Sequence, residues 1–184
     1  IPELPEAKKQ RLQDYYSLSA YEADVLTTDR PLADFFEEVA KKSNSPKLAS
    51  NWILRDLLSF TNESDLEISD LKITTDIFSE FVEVIDKGVI NSRVAQDVFS
   101  EMAQTGKYPS IIIQEKGLEQ IDSQEELEAV ARKIVDDNPG QVEKFKSGNE
   151  RIFGFFVGQA MKATEGKANP VKMQEILRRL ISKS

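Results

Sequence analysis

Apolar residues recur along this chain at intervals of three and four almost throughout, the period of helices with one buried face. Leu12, Tyr15 and Tyr16 give a short stripe after Pro5. Ser19 caps a segment reaching Leu26, and Asp29 ahead of Arg30-Pro31 opens one carrying Leu32, Phe35, Phe36 and Val39. Ser45-Pro46 repeats the cap-then-proline signal before Leu48, Trp52, Ile53 and Leu57. The stretch 76–87 sets Phe78, Phe81, Val82 and Ile85 on one face and stops at Gly88. Asn91 then caps a helix bearing Val94, Ala95, Val98, Phe99 and Met102, which ends near Gly106. No run alternates with period two and no hairpin dipeptide separates β-branched runs. The pattern predicts an all-α fold with no sheet.

Lys107-Tyr108-Pro109-Ser110, turn-rich and directly after a glycine stop, is the best boundary. It divides the chain into two small helical units packed in series, 1–108 and 109–184, with the 107–118 join readable as a hinge or as plain loop. Beyond it, Ile111, Ile112 and Ile113 sit on a short helix toward Gly117. Ser123-Gln124-Glu125-Glu126 has the form of a capping box, in which serine and glutamate satisfy free amides reciprocally. The helix it opens presents Leu127, Val130, Ala131, Ile134 and Val135 until Asn138-Pro139-Gly140. A short helix around Val142 and Phe145 follows, then one from near Glu150 to about Thr164, and a last one from Asn169-Pro170.

Composition narrows the chemistry. Among 184 residues there is no Cys and no His, which removes disulfides, Cys/His zinc sites, thiol chemistry and an imidazole base. An enzyme would need a carboxylate pair, a Ser/Lys dyad or a carboxylate-bound metal. The acidic pairs Glu37/Glu38, Glu125/Glu126 and Asp136/Asp137 are adjacent in sequence, so each diverges on a helix and reads as a solvated face or a cap. Glu63, Asp65, Glu67 and Asp70 lack the EF-hand arrangement. No catalytic or metal-binding residue is expected. No apolar run approaches the roughly 18 residues of a membrane span. Ile1-Pro2-Glu3-Leu4-Pro5 shows neither an initiator Met nor a signal pattern and reads as the start of a fragment; the absence of cysteine favours a cytoplasmic origin.

The net charge of −8 conceals two unlike parts. From Lys144 onward nine basic residues face three acidic ones, a local +6 that leaves residues 1–143 at −14. A phosphate backbone would attract the C-terminal part; exposed helix faces that merely differ in sign would give the same split. Within this part, Gly154 and Gly158 cost a helix about 1 kcal/mol each relative to Ala. They leave a gap that Lys162 continues one turn on. A neighbouring helix is the expected occupant of the gap, ahead of a sugar-phosphate backbone. Gly166, Asn169 and Pro170 read as a helix stop, a cap and a first-turn proline, with Lys167 on the link beside free helix amides that favour an anion. Gly166-Lys167 is not a Walker motif, since Met161 and Ala168 stand where Gly and Ser/Thr are required. The phenylalanines fall on helical stripes and read as core.

The run from Phe155 to Pro170, Phe-Phe-Val-Gly-Gln-Ala-Met-Lys-Ala-Thr-Glu-Gly-Lys-Ala-Asn-Pro, resembles the signature of the GatB/YqeY family. Leu4-Pro5-Glu6, Asn51-Trp52-Ile53, Gly88-Val89-Ile90 and Asn138-Pro139 also fit that family's pattern. At Ala160 and Glu165 the family more often has Val and Lys, which lowers the local positive charge here. The resemblance implies a helical linker domain over 1–108 and a YqeY-like tail over 109–184, taken from the B subunit of a tRNA-dependent amidotransferase. That assembly converts Glu-tRNA(Gln) or Asp-tRNA(Asn) to the amide. On this reading ATP and Mg²⁺ serve an N-terminal part outside this sequence, through which the A and C subunits are also met, and this chain needs no cofactor of its own.

The expected role is therefore non-catalytic tRNA binding that orients a distant reacting end. Lys144, Lys146, Arg151, Lys162, Lys167, Arg178 and Arg179 are the candidate phosphate contacts, and Gln159 and Asn169 the candidate neutral hydrogen-bonding groups. An N-cap role accounts for Asn169 equally well. The alternative is a protein–protein module whose acidic 1–143 part docks on a partner subunit or synthetase; a stand-alone enzyme is the third reading.

Overall fold

A computed structural model describes residues 3–183. Ile1 and Pro2, which begin the stretch expected to be a fragment start, lie outside the described residues. The chain is all-α, and among the described residues the only β-type pairing is one isolated parallel bridge between Ile121 and Ala168. It divides into two compact units, the first reaching Gly88 and including Gln96–Lys116, the second Val89–Ala95 with Gly117 onward.

The first unit contains α1 (Pro5–Tyr16), α2 (Ala20–Leu26), α3 (Arg30–Ser43), α4 (Pro46–Trp52), α5 (Leu58–Ser64) and α6 (Thr75–Asp86). It also holds most of α7 (Ser92–Thr105) and all of α8 (Pro109–Lys116). One π turn, Ile53–Leu57, joins α4 to α5 and keeps Trp52, Ile53 and Leu57 all buried. A chain of ring contacts holds this core: Tyr16 on Phe36 at 5.3 Å, Phe35 on Phe78 at 5.5 Å, Trp52 edge-on to Phe81 at 4.9 Å, and Phe81 on Phe99 at 6.0 Å. Each such pair adds about 1 kcal/mol to what its burial contributes. The stripe expected on α1 is only partly internal. Leu12 and Tyr16 are buried, but Tyr15 is 74% exposed because consecutive residues point about 100° apart on a helix.

Ser19 and Glu22 form a complete capping box, each side chain bonded to the other residue's amide. At Ser123 only half of the expected box forms: Ser123 Oγ accepts from the Glu126 amide at 3.4 Å, and Glu126 stays exposed. Glu22 has a second duty. Its carboxylate also accepts from Lys47 Nζ at 2.6 Å and from Ser50 Oγ at 3.3 Å, linking α2 to α4. Burial pushes its pKa up, but the Lys47 and Ser19 bonds more than offset this and hold it at about 2.

In the second unit, α9 (Gln124–Asp137), α10 (Pro139–Lys146), α11 (Phe153–Ala163) and α12 (Pro170–Lys183) enclose Leu127, Ala131, Ile134, Phe153, Phe156, Ala160, Met173, Ile176, Leu177 and Ile181. Three separate stretches clasp one another at its edge. Buried Asn91 donates from Nδ2 to the Gly166 carbonyl at 2.7 Å while its Oδ1 caps α7 through the amides of Arg93 and Val94. The Gln120 amide donates to Val89 O, the Ile121 amide to Lys167 O and the Asn169 amide to Ile121 O, at 2.7, 2.8 and 2.9 Å.

Glu22 and Asn91 are the two polar side chains whose removal these arrangements make most costly. Because the folded pKa of Glu22 is depressed, the stability it lends is complete above its ordinary value of 4.5 and is lost as pH falls toward 2. Glu22→Gln should lower unfolding stability by about 2 kcal/mol at pH 7 and converge with wild type near pH 2, read from denaturant midpoints across that range. Asn91→Ala should cost about 2–3 kcal/mol. Asn91→Asp, which keeps the cap but cannot donate to Gly166, should lose a comparable amount in the same measurement.

Candidate nucleic-acid interface

Helix α11 begins in a 3₁₀ turn, Glu150–Ile152, and buries Phe153, Phe156 and Ala160. The opposite face, expected to receive a neighbouring helix, receives none. A Cβ added at Gly154 or at Gly158 would meet nothing within 4 Å, and both glycines are exposed. The reason lies in register: with the Phe153, Phe156 and Ala160 face against the core, residues 154 and 158 are carried outward. Arg151, Gly154, Gly158 and Lys162 recur at three- and four-residue spacing and are all exposed. They make a ribbon about 17 Å long at helical rise, with a cation at each end and no side chain between.

Toward its C-terminus α11 forms a groove of about 550 Å³ with α9, lined by Gln159, Lys162, Ala163, Val130, Lys133 and Asp137. A second groove of about 400 Å³ shares Val130 and Ala163 and is completed by Ile121, Glu126, Thr164 and Lys167. Lys167 stands on a tightly ordered link. Glu165 and Gly166 both have positive φ, at 53° and 77°, the Gly166 amide returns to Met161 O, and the Thr164 hydroxyl accepts from the Ala168 amide. Glycine suits position 166 because of its left-handed φ, and the Arg93 side chain lies close by, with Nε 2.8 Å from where a Cβ would stand. The Lys167 ammonium is 3.4 Å from Gly117 O and 3.9 Å from Glu165.

A second aromatic contact sits at Phe153, with further cations nearby in sequence. Its ring carries the Arg178 guanidinium of α12 at 4.2 Å and the Phe145 ring of α10 at 6.0 Å. Lys144 and Lys146 flank Phe145, Arg151 lies two residues before Phe153, and all four cations are exposed.

The remaining candidates are engaged within the fold. Arg179 pairs with Glu128 at 3.0 Å. Asn169 Oδ1 caps α12 through the Val171 and Lys172 amides, and its Nδ2 donates to Asp122 at 2.7 Å, so the helix amides expected to draw an anion are already satisfied. Lys172 pairs with the same Asp122, and the Lys172 ammonium, followed by the Asn169 amide, holds that carboxyl below its ordinary range. The Lys172/Arg179 stripe of α12 therefore serves to dock its own acids.

The two units treat their cations differently. In the first, Lys8, Lys9, Arg11, Arg30, Lys42, Lys47, Arg55, Lys87, Lys107 and Lys116 all have acidic partners, Lys72 donates to the Gln104 carbonyl, and Lys41 pairs with no acid among the described residues. In the second, Arg93, Lys133, Lys144, Lys146, Arg151, Lys162 and Arg178 pair with no acid among the described residues. Arg93 and Lys133 are not legible as candidates in the sequence. Both lie before residue 144, in a stretch whose summed charge is negative, and only folding sets them beside the link and the α9–α11 groove. Among the described residues no three acidic side chains converge as metal ligands, and no helix is long and apolar enough to cross a membrane.

The chain matches known proteins along its whole length. A family model described as the GatB domain matches residues 34–181. Over its whole length the chain is 43% identical to the B subunit of the aspartyl/glutamyl-tRNA(Asn/Gln) amidotransferase of Caldanaerobacter subterraneus subsp. tengcongensis and 44% identical to that of Carboxydothermus hydrogenoformans. The corresponding B subunit of Thermotoga maritima is 41% identical over 98% of the chain. The chain spans about 38% of the length of each of these relatives. With the match taking in the Asn91 clasp, the open ribbon of α11 and nearly all of α12, the chain belongs to the GatB/YqeY domain family.

Proposed function

We propose that this chain is the tRNA-gripping part of an amidotransferase B subunit and takes no part in bond making itself. It binds the body of Glu-tRNA(Gln) or Asp-tRNA(Asn) and so raises the effective concentration of the aminoacylated end at a catalytic centre elsewhere in the assembly. ATP, Mg²⁺ and the A and C subunits belong, on this reading, to the remaining length of the relatives. The absence of His and Cys supports a binding role rather than a chemical one.

The observation that carries the reading is the α11 ribbon. Two glycines in one helix cost about 1 kcal/mol each, and no packing partner repays that cost at Gly154 or Gly158. A sugar-phosphate backbone laid across them would approach the helix closely, with Arg151 and Lys162 positioned to neutralise phosphates at either end. Lys144, Lys146 and Lys167 extend the contact, and Gln159 offers a neutral hydrogen bond beside Lys162. Arg179 and Asn169 support the fold behind this surface. Phosphate contacts fix position without reading sequence, so selectivity among tRNAs rests on shape and a few base contacts.

The competing reading, a module docking on a partner subunit or synthetase, draws on Tyr15 and Tyr21 of the first unit, which are 74% and 73% exposed. Titration with tRNA(Gln) and tRNA(Asn) transcripts at two salt concentrations separates the two: affinity should fall steeply with salt, and absent or salt-insensitive binding favours docking. Lys162→Ala should weaken binding and reduce the salt slope by about one. Gly158→Ala should raise stability by about 1 kcal/mol, as an exposed helix position gaining Ala, yet weaken tRNA binding severalfold. A variant that is stabilised with unchanged affinity would remove the ribbon from the interface.

A further inference from the structure

Resting on the tRNA-binding reading, we propose that the Arg178 guanidinium is a stacking platform for one unpaired nucleobase rather than another phosphate contact. Three observations converge on it. Arg178 lies 4.2 Å over the Phe153 ring, which is itself buried and has Phe145 beside it, so the guanidinium rests on an aromatic floor. Arg178 is exposed, which leaves the other face to solvent. No acidic side chain among the described residues pairs with it, in contrast to its neighbour Arg179, which is committed to Glu128.

A planar cation seated over a ring differs chemically from the surrounding lysines. Its plane matches the π-face of a base, it is more weakly hydrated than an ammonium, and its rotamer freedom is already spent on Phe153. Lys144, Lys146 and Arg151, on the elements that meet at the same ring, supply point charges for the phosphates flanking a base stacked there. A base in this position is single-stranded or splayed from a loop, because a base inside a helix has no free face to offer. The site would thus let the chain register a loop of folded RNA by shape and stacking, with little dependence on which base it carries.

The proposal separates from a phosphate contact by the choice of replacement. In the full chain, with the same tRNA transcripts, Arg178→Ala and Arg178→Lys should each weaken binding about tenfold, the low end of what one base stack contributes. Arg178→Tyr, which restores a flat face without charge, should remain within about threefold of wild type. Circular-dichroism melts of the three variants show whether each still folds, and the Lys and Tyr variants both retain a long side chain over Phe153. Full binding by the Lys variant would make Arg178 an ordinary phosphate contact, and full binding by all three would reduce it to a cover for Phe153; either overturns the proposal. If Lys162→Ala loses affinity while the Arg178 variants do not, only this inference fails. If the wild-type chain binds neither transcript, the tRNA reading fails with it.

Discussion

The second unit depends on one buried amide. Asn91 fixes two stretches far apart in sequence, since its side chain caps α7 with one atom and holds the Gly166 carbonyl with the other, and the backbone around residues 120 and 121 bonds to both. Without that donor the carbonyl would be buried unsatisfied, at a cost comparable to a sizeable part of a small domain's net stability. The backbone bonds from residues 120, 121 and 169 then have a fixed frame to close on. Lys167 owes its position to this clasp, as does the approach of Arg93 to Gly166. The placement of charge at the link is thus a consequence of a hydrogen-bonding requirement.

Charge compensation organises the rest of the surface. Exposed ion pairs add little to stability individually. Their distribution nonetheless decides where field remains to act on a partner. By sequence count the second unit carries close to no net charge, because the acids of 117–143 offset the basic tail. What distinguishes it is that Asp122 and Glu128 absorb one stripe of α12, leaving the cations of α10, of the 3₁₀ turn and of the end of α11 uncompensated. A polyanion would meet these locally unpaired charges within a Debye length, where the total charge matters little.

The open helix face and the aromatic floor extend the same logic from charge to shape. Phe153 anchors α11 in the core and simultaneously carries Arg178 at the surface, so one side chain serves both core packing and the placement of an exposed cation. Gly154 and Gly158 sacrifice helix propensity for clearance on the side that α9, α10 and α12 do not cover. Rigid secondary structure beneath both features means that little ordering entropy remains to oppose binding.

The period of apolar residues and the cap-and-proline punctuation were enough to determine the all-α fold, the helices and most of the core, because helix formation and burial of one face are set by residues within a few positions of one another. The long signature from Phe155 to Pro170 was likewise enough to place the chain in its family. Which face of α11 meets solvent, whether Ser123 completes its capping box, which of two adjacent arginines is neutralised, and the arrival of Arg93 at Gly166 were decided only by tertiary structure. Arg178 and Arg179 are chemically identical and differ by about 100° of helical rotation. Their roles part because one meets Phe153 and the other Glu128, contacts between helices that no local pattern specifies.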